Sequence, residues 1–318
     1  MRIFDIERVH PCTRRGSAVS SPRRFCARWV SFLSSVAAVL AMAVSAWASQ
    51  EPPKPELPAN PADLVRKAVA NENSSADDNR HYTYRLIRRK PDGIETREMI
   101  ETDHGVIGRL LMVNGKPLSA AEREKEDKRL QRLVDDPQQL AQKQKSQKDD
   151  DRRTRNMVAA LPDAFLYEYA GTQNQEPWGE LVILKFKPNP NFNPPQRETM
   201  VYKGMEGSMA IAVPAHRIAK IEAHLFRDVN FGWGILGHLD QGGQFVVEQK
   251  PIEGNHWEPT HMVLNFTGKA LLFKTIRIND DETTTDYRPV PDMTVAQAVD
   301  LLKKHDGEVA QNNGSGTK

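Results

Sequence analysis

The chain has 318 residues, of which 39% are hydrophobic and 27% charged, proportions that exclude a wholly disordered chain and a multispan membrane protein. Its 44 basic and 42 acidic residues give a net charge of +2. Residues 1–48 carry seven arginines and two acidic residues, or +5, which leaves 37 basic and 40 acidic residues, or −3, for the rest. The main part of the chain therefore lacks the basic excess typical of nucleic-acid binding.

The first 48 residues have the pattern of an export signal. Arginines precede an uncharged stretch from residue 29 to residue 50, which contains the small-x-small sequence Ala46-Trp47-Ala48. We expect cleavage after Ala48 and a periplasmic or secreted protein; an uncleaved anchor is the alternative, because about 20 apolar residues can span a bilayer. Cys12 and Cys26 lie before the apolar stretch, so the mature chain would contain no disulfide and no cysteine metal site.

The remaining chain is predicted to form one folded domain between a proline-rich linker and a disordered tail. Residues 49–59 are a proline-rich linker, residues 60–306 the folded domain, and residues 307–318 a disordered tail. Asn60 can cap a helix that starts at Pro61 and places Leu64 and Ala68 on one face.

Alternating side chains then predict strands. Tyr82, Tyr84 and Leu86 fall on one side of an extended segment, and a turn at residues 91–93 allows residues 94–102 to return as the second strand of a hairpin. A third strand over residues 108–113 ends at the turn dipeptide Asn114-Gly115.

A highly charged insert, residues 119–161, interrupts the strands. Ser119 and Glu122 form a capping-box sequence, and 20 of the 34 residues from Glu122 to Arg155 are charged, eleven basic and nine acidic. This composition predicts a solvated helix, a break near Pro137 and a second helix through residues 157–161. The mixture of signs is against a nucleic-acid arm, so we interpret the insert as a lid or a docking surface.

Further strands and one helix follow the insert. The predicted strands are residues 165–169, 180–187, 200–203, 208–213, 220–229, 244–248, 260–266 and 271–278, with a hairpin turn at residues 204–207. The helix is predicted over residues 294–304, with Gly307 past its end. About ten closely spaced strands predict an α+β, mainly β fold: a strongly curved antiparallel sheet, or half-barrel, covered by the terminal helices and the charged insert.

Gly232-Trp233-Gly234-Ile235-Leu236-Gly237 matches a dinucleotide-binding motif. That site requires a strand, a turn and a crossover helix, whereas the next turn follows here after only a few residues. We therefore expect no nucleotide and interpret the glycines as a bend in a strand. In the same segment, Phe231 and Trp233 are candidates for contact with a partner or a membrane.

Other patterns give no catalytic or metal site. His216 and His224, and likewise His256 and His261, lack the tight spacing of zinc ligands, and we expect these histidines to face solvent. No serine-nucleophile motif is present, and the aspartate runs fall in the solvated insert. The interpretation is a non-enzymatic protein with no cofactor and no metal.

The sheet itself is the remaining candidate for function. Ile221, Ala223 and Leu225 share one strand face, as do Met262, Leu264 and Phe266. On the concave side of a curved sheet, such residues form a groove for acyl chains or lipidated peptides. The same residues are equally consistent with an ordinary core beneath helices, and both interpretations stay open.

This arrangement resembles the outer-membrane lipoprotein carrier (LolA/LolB-like) superfamily. The resemblance rests on the segments 218–229, 231–243, 245–247, 255–266 and 271–278. It implies an export signal, a helix and a curved antiparallel half-barrel closed by helices, and it implies that the protein holds a lipid or a lipidated polypeptide. The alternative is an envelope protein-interaction or sensor module, with a filled core and no lipid, that binds another protein through a sheet edge or loops.

Overall fold

The computed structural model describes residues 57–75, 80–231, 237–254, 256–270 and 274–314. The predicted export signal, most of the proline-rich linker, Trp233 and the last four residues lie outside this part of the chain. No helix in the described ranges is long and apolar enough to cross a membrane.

The described chain contains four α-helices, one 3₁₀ helix and thirteen strands. The helices are α1 (Pro61–Ser75), α2 (Ala120–Asp135), α3 (Pro137–Ala164), a 3₁₀ helix (Glu198–Gly204) and α4 (Val295–Gly314). The strands are β1 (His81–Lys90), β2 (Gly93–Ile100), β3 (Ile107–Val113), β4 (Lys116–Pro117), β5 (Phe165–Gln175), β6 (Gly179–Pro188), β7 (Met205–Ala212), β8 (Arg217–Leu225), β9 (Val229–Phe231), β10 (Gly237–Leu239), β11 (Gln244–Glu253), β12 (His256–Ala270) and β13 (Lys274–Val290).

All thirteen strands belong to one antiparallel sheet. The strand order is β4-β3-β2-β1-β13-β12-β11-β8-β7-β6-β5, and the short hairpin of β9 and β10 pairs with β12 beside this path. The sheet is curved like a half-barrel and does not close, because β4 and β5 remain at opposite ends. The predicted α+β, mainly β class is confirmed, with thirteen strands where about ten were expected.

The face of the sheet that α1 and the end of α3 cover is called the inner face. The largest buried cluster lies there, and Leu64 and Ala68 of α1 and Leu161 of α3 pack in it against Leu184 of β6 and Met209 of β7. Asn60 caps α1 as predicted, because its side-chain oxygen accepts a hydrogen bond of 3.1 Å from the N–H of Ala62.

Helices α2 and α4 cover the opposite, outer face at the other end of the sheet. Leu130 of α2 and Leu302 of α4 are completely buried against Ile100 and Ile107, a cross-strand pair of β2 and β3. Ile100 also pairs with Thr83, whose side chain alternates with those of Tyr82 and Tyr84 on the inner face. The two ends of the sheet are therefore covered on opposite faces.

The charged insert forms two helices, as predicted. The capping box at Ser119 is present, and the break is a single residue, Asp136, which caps α3. The first half of α3 reaches Val106 through Gln147, whose Nε2 donates to the Val106 oxygen at 3.1 Å. Residues 150–155 are exposed on every side of the helix. The middle of α3 is therefore not packed against the rest of the described protein, whereas its two ends are.

Two local predictions differ from the structure. Residues 200–203 are part of the 3₁₀ helix and not a strand, and residue 204 ends that helix while β7 starts at Met205. The helix buries Val201 and Tyr202, which are adjacent in sequence and would point to opposite faces of a strand. Helix α4 continues past Gly307 to Gly314, because one glycine costs only about 1 kcal/mol within a helix.

Candidate functional site

The six residues predicted to form a ligand-binding face lie together on the inner face. Ile221 pairs through Val247 with Met262, and Ala223 pairs through Phe245 with Leu264. Leu225 and Phe266 form the next row, where the absent side chain of Gly243 leaves room: a Cβ atom there would lie 2.4 Å from the Phe266 ring. Strand register thus brings together residues of β8, β11 and β12 that are distant in sequence.

Part of this predicted face is core. Ala223, Leu225 and Phe266 are at most 7% exposed and belong to the cluster beneath α1 and α3. The other three are half-buried, and Ile221 and Leu264 border that cluster. Met262 and its neighbour Val247 pack against none of the buried clusters of the described residues.

Across the sheet from Met262, the residues in the same row on the next strands are charged. Met262 pairs with Glu282 of β13, which pairs with Arg88 of β1, and Arg88 pairs with Glu95 of β2. Arg88 forms an ion pair with Glu282. Ile221, Val247, Met262 and these charged neighbours are called the inner strip. Its apolar half lies on β8, β11 and β12. Its charged half lies on the next three strands of the sheet, β13, β1 and β2.

The charged half is compensated internally. Lys90 and Arg97 lie 3.1 Å from the Glu95 carboxylate. Burial alone would raise the pKa of Glu95, but the hydrogen bonds from Lys90 and Arg97 outweigh that effect and lower the pKa. Each of the two carboxylates in this half, Glu95 and Glu282, thus faces an arginine.

A second group of polar side chains lies on the inner face near the start of β1. This tyrosine–glutamate cluster consists of Tyr82, Tyr84, Glu101, His256, Glu258 and Tyr287. Tyr82 stacks on His256 at 4.7 Å between ring centroids, and Tyr84 stacks on Tyr287 at 4.9 Å. The Tyr82 N–H donates to Glu101 Oε2 at 2.9 Å. His256 Nε2 lies 2.8 Å from Glu258 Oε1.

The surroundings of this cluster raise the pKa values of Glu101 and Tyr84. Burial, followed by the charge of Glu258, raises the pKa of Glu101 to about 7, although the hydrogen bond from the Tyr82 N–H and the charge of His256 oppose the increase. Burial, followed by the charge of Glu101, also raises the pKa of Tyr84 well above its usual value. Tyr84 is therefore neutral, and Glu101 holds a proton in about half of the molecules near neutral pH.

The sequence did not reveal this cluster. Of the histidines expected to face solvent, His224 is exposed, but His256 is only 6% exposed, so that prediction was wrong for His256. The alternation of His256 and Glu258 places both on one strand face, and this was the available signal. Glu101 was not identifiable, because it joins them only through the pairing of β1 with β2 and β13.

One group of described residues has the spacing of metal ligands. Ligand atoms of His81, Asp103 and Asp292 lie within 4.8 Å of one another. His81 Nδ1 is 3.0 Å from Asp292 and Nε2 is 3.4 Å from Asp103. Since the two carboxylates face different ring nitrogens and are well exposed, the arrangement equally suits a histidine that simply bridges two aspartates.

Most of the glycine motif, residues 232–236, lies outside the described residues. Strands β9 and β10 flank it and pair antiparallel, with Phe231 opposite Gly237. A dinucleotide site needs a crossover to a parallel strand, whereas β9 and β10 pair antiparallel; a bend at the glycines stays a prediction. Phe231 is half-buried and packs against the inner-face core; contact with a partner stays a prediction.

Comparison with known proteins does not assign the chain to a family. No protein-family model matches the chain, and no characterised protein matches it by sequence. Among solved structures, a DUF1329 family protein from Desulfovibrio piger aligns over 74% of this chain and 96% of its own, with 9% identity and a TM-score of 0.27. A TM-score this low supports no inference about function. The half-barrel architecture implied by the LolA/LolB-like resemblance is present, and membership of that superfamily stays a prediction.

Proposed function

We propose that this protein is an exported, non-enzymatic binding protein that holds a lipid, an acyl chain or a lipidated polypeptide on the inner face of its curved sheet. The proposal rests on one observation above all. Val247 and Met262 are apolar, half-buried and outside every buried cluster of the described residues, although they lie beside a core that α1 and α3 cover.

The shape of the site supports an elongated apolar ligand. The inner strip crosses at least six strands, and neighbouring strands are about 4.8 Å apart. One half can bury methylene groups, each worth about 0.8 kcal/mol, and the other half offers charges for a polar end. The unpacked middle of α3 supports its interpretation as a lid, and the arginine-rich residues 1–48 support export.

Binding of dodecanol tests the proposal, because this ligand is an uncharged alkyl chain. Isothermal titration calorimetry should detect binding to the purified protein and at least a tenfold weaker affinity for Met262→Lys, in which a charge lies in the apolar half. Asn265→Lys is the matched control, since Asn265 is exposed on the other face of β12. Equal binding by Met262→Lys would show that the chain does not lie on this strip.

An envelope protein-interaction module is the alternative function. Within the described residues, β5 pairs with β6 alone, and its residues 170–175 are exposed. Such an edge can accept a strand from another protein, and Leu166 nearby is 46% exposed. Absence of dodecanol binding, together with an envelope cross-link that Leu166→Lys abolishes, would favour this alternative.

A further inference from the structure

The tyrosine–glutamate cluster shares the inner face with the inner strip. Tyr84 and Arg88 are on the same side of β1, and four residues of a strand span roughly 13 Å. On β12, Glu258 lies four residues before Met262, with a register shift between them, and its charge acts on both Tyr84 and Glu101. A ligand whose apolar part lies across Met262 can therefore extend its polar end along β1 and β12 to this cluster.

The cluster differs from the rest of the face in its charge balance. Glu95 and Glu282 each face an arginine. By contrast, in the part of the chain that the structure describes, Glu101 forms no ion pair with a lysine or arginine, and the ion pair of Glu258 is with His256. Two partly buried carboxyl groups thus lie together without the strong cation that compensates the others.

The hydroxyl of Tyr84 is a second feature that points to a ligand. Its half-buried ring stacks on Tyr287, and no hydrogen bond of the hydroxyl is present within the described ranges. Glu101 and Glu258 are both close enough to influence its ionisation. The hydroxyl can therefore accept or donate a hydrogen bond to a ligand on this face.

An ammonium group matches the two glutamates, the Tyr84 hydroxyl and the tyrosine rings of the cluster. It carries only donors, so it can be shared between two carboxylates and a phenol oxygen, and it is attracted to the faces of tyrosine rings. A divalent cation suits the cluster less well, because the described group with metal-ligand spacing is His81, Asp103 and Asp292, outside the cluster.

We propose that the tyrosine–glutamate cluster binds the ammonium group of an amine-bearing ligand whose apolar chain lies on the inner strip. This inference rests on the proposed function and narrows it to one chemical class, alkylamines and lipids with an amine head group. Lipids whose only charge is negative are disfavoured, because their head groups would meet Glu101 and Glu258.

Three probes of equal chain length separate the inference from the proposed function. Dodecylamine, dodecanol and dodecanoate are titrated below their micelle concentrations near neutral pH. Dodecylamine should bind at least about tenfold more tightly than dodecanol, since hydrogen bonds to charged groups are worth about 1.5–3 kcal/mol, and dodecanoate should bind most weakly. Binding of all three with equal affinity, or a preference for dodecanoate, would overturn the inference and leave the proposed function intact. Binding of none would overturn both.

Variants assign the preference to the cluster. Glu101→Gln and Glu258→Gln should each reduce dodecylamine affinity about tenfold and leave dodecanol affinity within about twofold. Tyr84→Phe should have a smaller effect of the same kind. Glu168→Gln is the matched control, because Glu168 is an exposed glutamate on β5, and it should keep the preference. Circular dichroism confirms that each variant is folded. A preference that survives in both cluster glutamine variants would show that the ammonium binds elsewhere.

Two further probes identify the source of the amine. Lysophosphatidylethanolamine carries both a chain and an amine, lysophosphatidylglycerol carries the chain without the amine, and ethanolamine is the head group alone. If only lysophosphatidylethanolamine binds tightly, the amine belongs to a lipid head group. Tight binding of ethanolamine indicates that a free amine suffices. Equal binding of the two lysolipids without ethanolamine binding would contradict the ammonium site.

Discussion

Removal of the Glu101 charge should make the protein more stable above neutral pH. The carboxyl group has a pKa of about 7 in the folded protein against 4.5 as its ordinary value. Because the folded-state value is the higher one, folding favours the protonated group. The stability that this proton provides is fully present below about pH 4.5 and is lost as the pH rises through about 7.

The magnitude follows from the two pKa values. Their difference of about 2.5, at about 1.4 kcal/mol for each pH unit, corresponds to about 3 kcal/mol. Glu101→Gln places a neutral group of nearly the same shape at this position, and its side-chain oxygen can still accept the Tyr82 N–H. The free energy of unfolding of the variant, relative to the unchanged protein, should therefore increase by about 3 kcal/mol between about pH 4.5 and about pH 8.

Urea denaturation followed by tryptophan fluorescence at several pH values measures this difference directly. The control is Glu168→Gln, which removes one negative charge from an exposed site and should stay within about 0.5 kcal/mol of the unchanged protein throughout. A difference between Glu101→Gln and the unchanged protein that does not vary with pH would refute the reasoning, since Glu101 would then titrate alike in the folded and unfolded chains.

Three further substitutions test the packing of the helices and strands. Glu72→Ala should cost about 3 kcal/mol, because its carboxylate lies 2.9 Å from the buried Arg217 and breaking a buried ion pair is expensive. Leu302→Ala should cost about 2–5 kcal/mol, because this side chain of α4 is completely buried against α2 and the sheet. Gly207→Ala should cost at least about 2 kcal/mol, because the new Cβ would lie 2.0 Å from the backbone oxygen of Glu222. Urea denaturation measures each change.

Each of these substitutions has a control of the same type. Asp163→Ala breaks an exposed ion pair with Arg66 and should change stability by less than about 1 kcal/mol. Leu166→Ala truncates an exposed leucine and should be nearly neutral. Gly108→Ala meets only the flexible thioether of Met99 and should cost less than Gly207→Ala. Equal effects within any pair would contradict the packing described for that site.

Local features of the fold were predictable because short-range interactions decide them. The Asn60 cap, the capping box at Ser119 and the turn at Asn114-Gly115, where both residues have positive φ, each depend on neighbouring residues alone. The alternation in β8 likewise assigned Leu225, which is buried, and Glu222, which is exposed, to opposite faces of the strand.

Burial on the inner face and the assembly of the tyrosine–glutamate cluster depend on contacts between residues distant in sequence, which the sequence pattern does not show. Leu225 and Met262 have the same alternating pattern, yet one is core and the other half-buried, because α1 and α3 cover only part of the inner face. The tyrosine–glutamate cluster depends in the same way on the neighbouring positions of β1, β13 and β12 in the sheet. Periodicity identifies a face of a strand, but it does not identify what covers that face.

The central claim, that the inner strip holds a lipid, is tested most directly by native mass spectrometry of the protein purified from its own envelope. The account predicts adducts of lipid mass on the unchanged protein and on Asn265→Lys, and their loss from Met262→Lys. An adduct-free mass for the unchanged protein, with no uptake from added lysophosphatidylethanolamine, would contradict it.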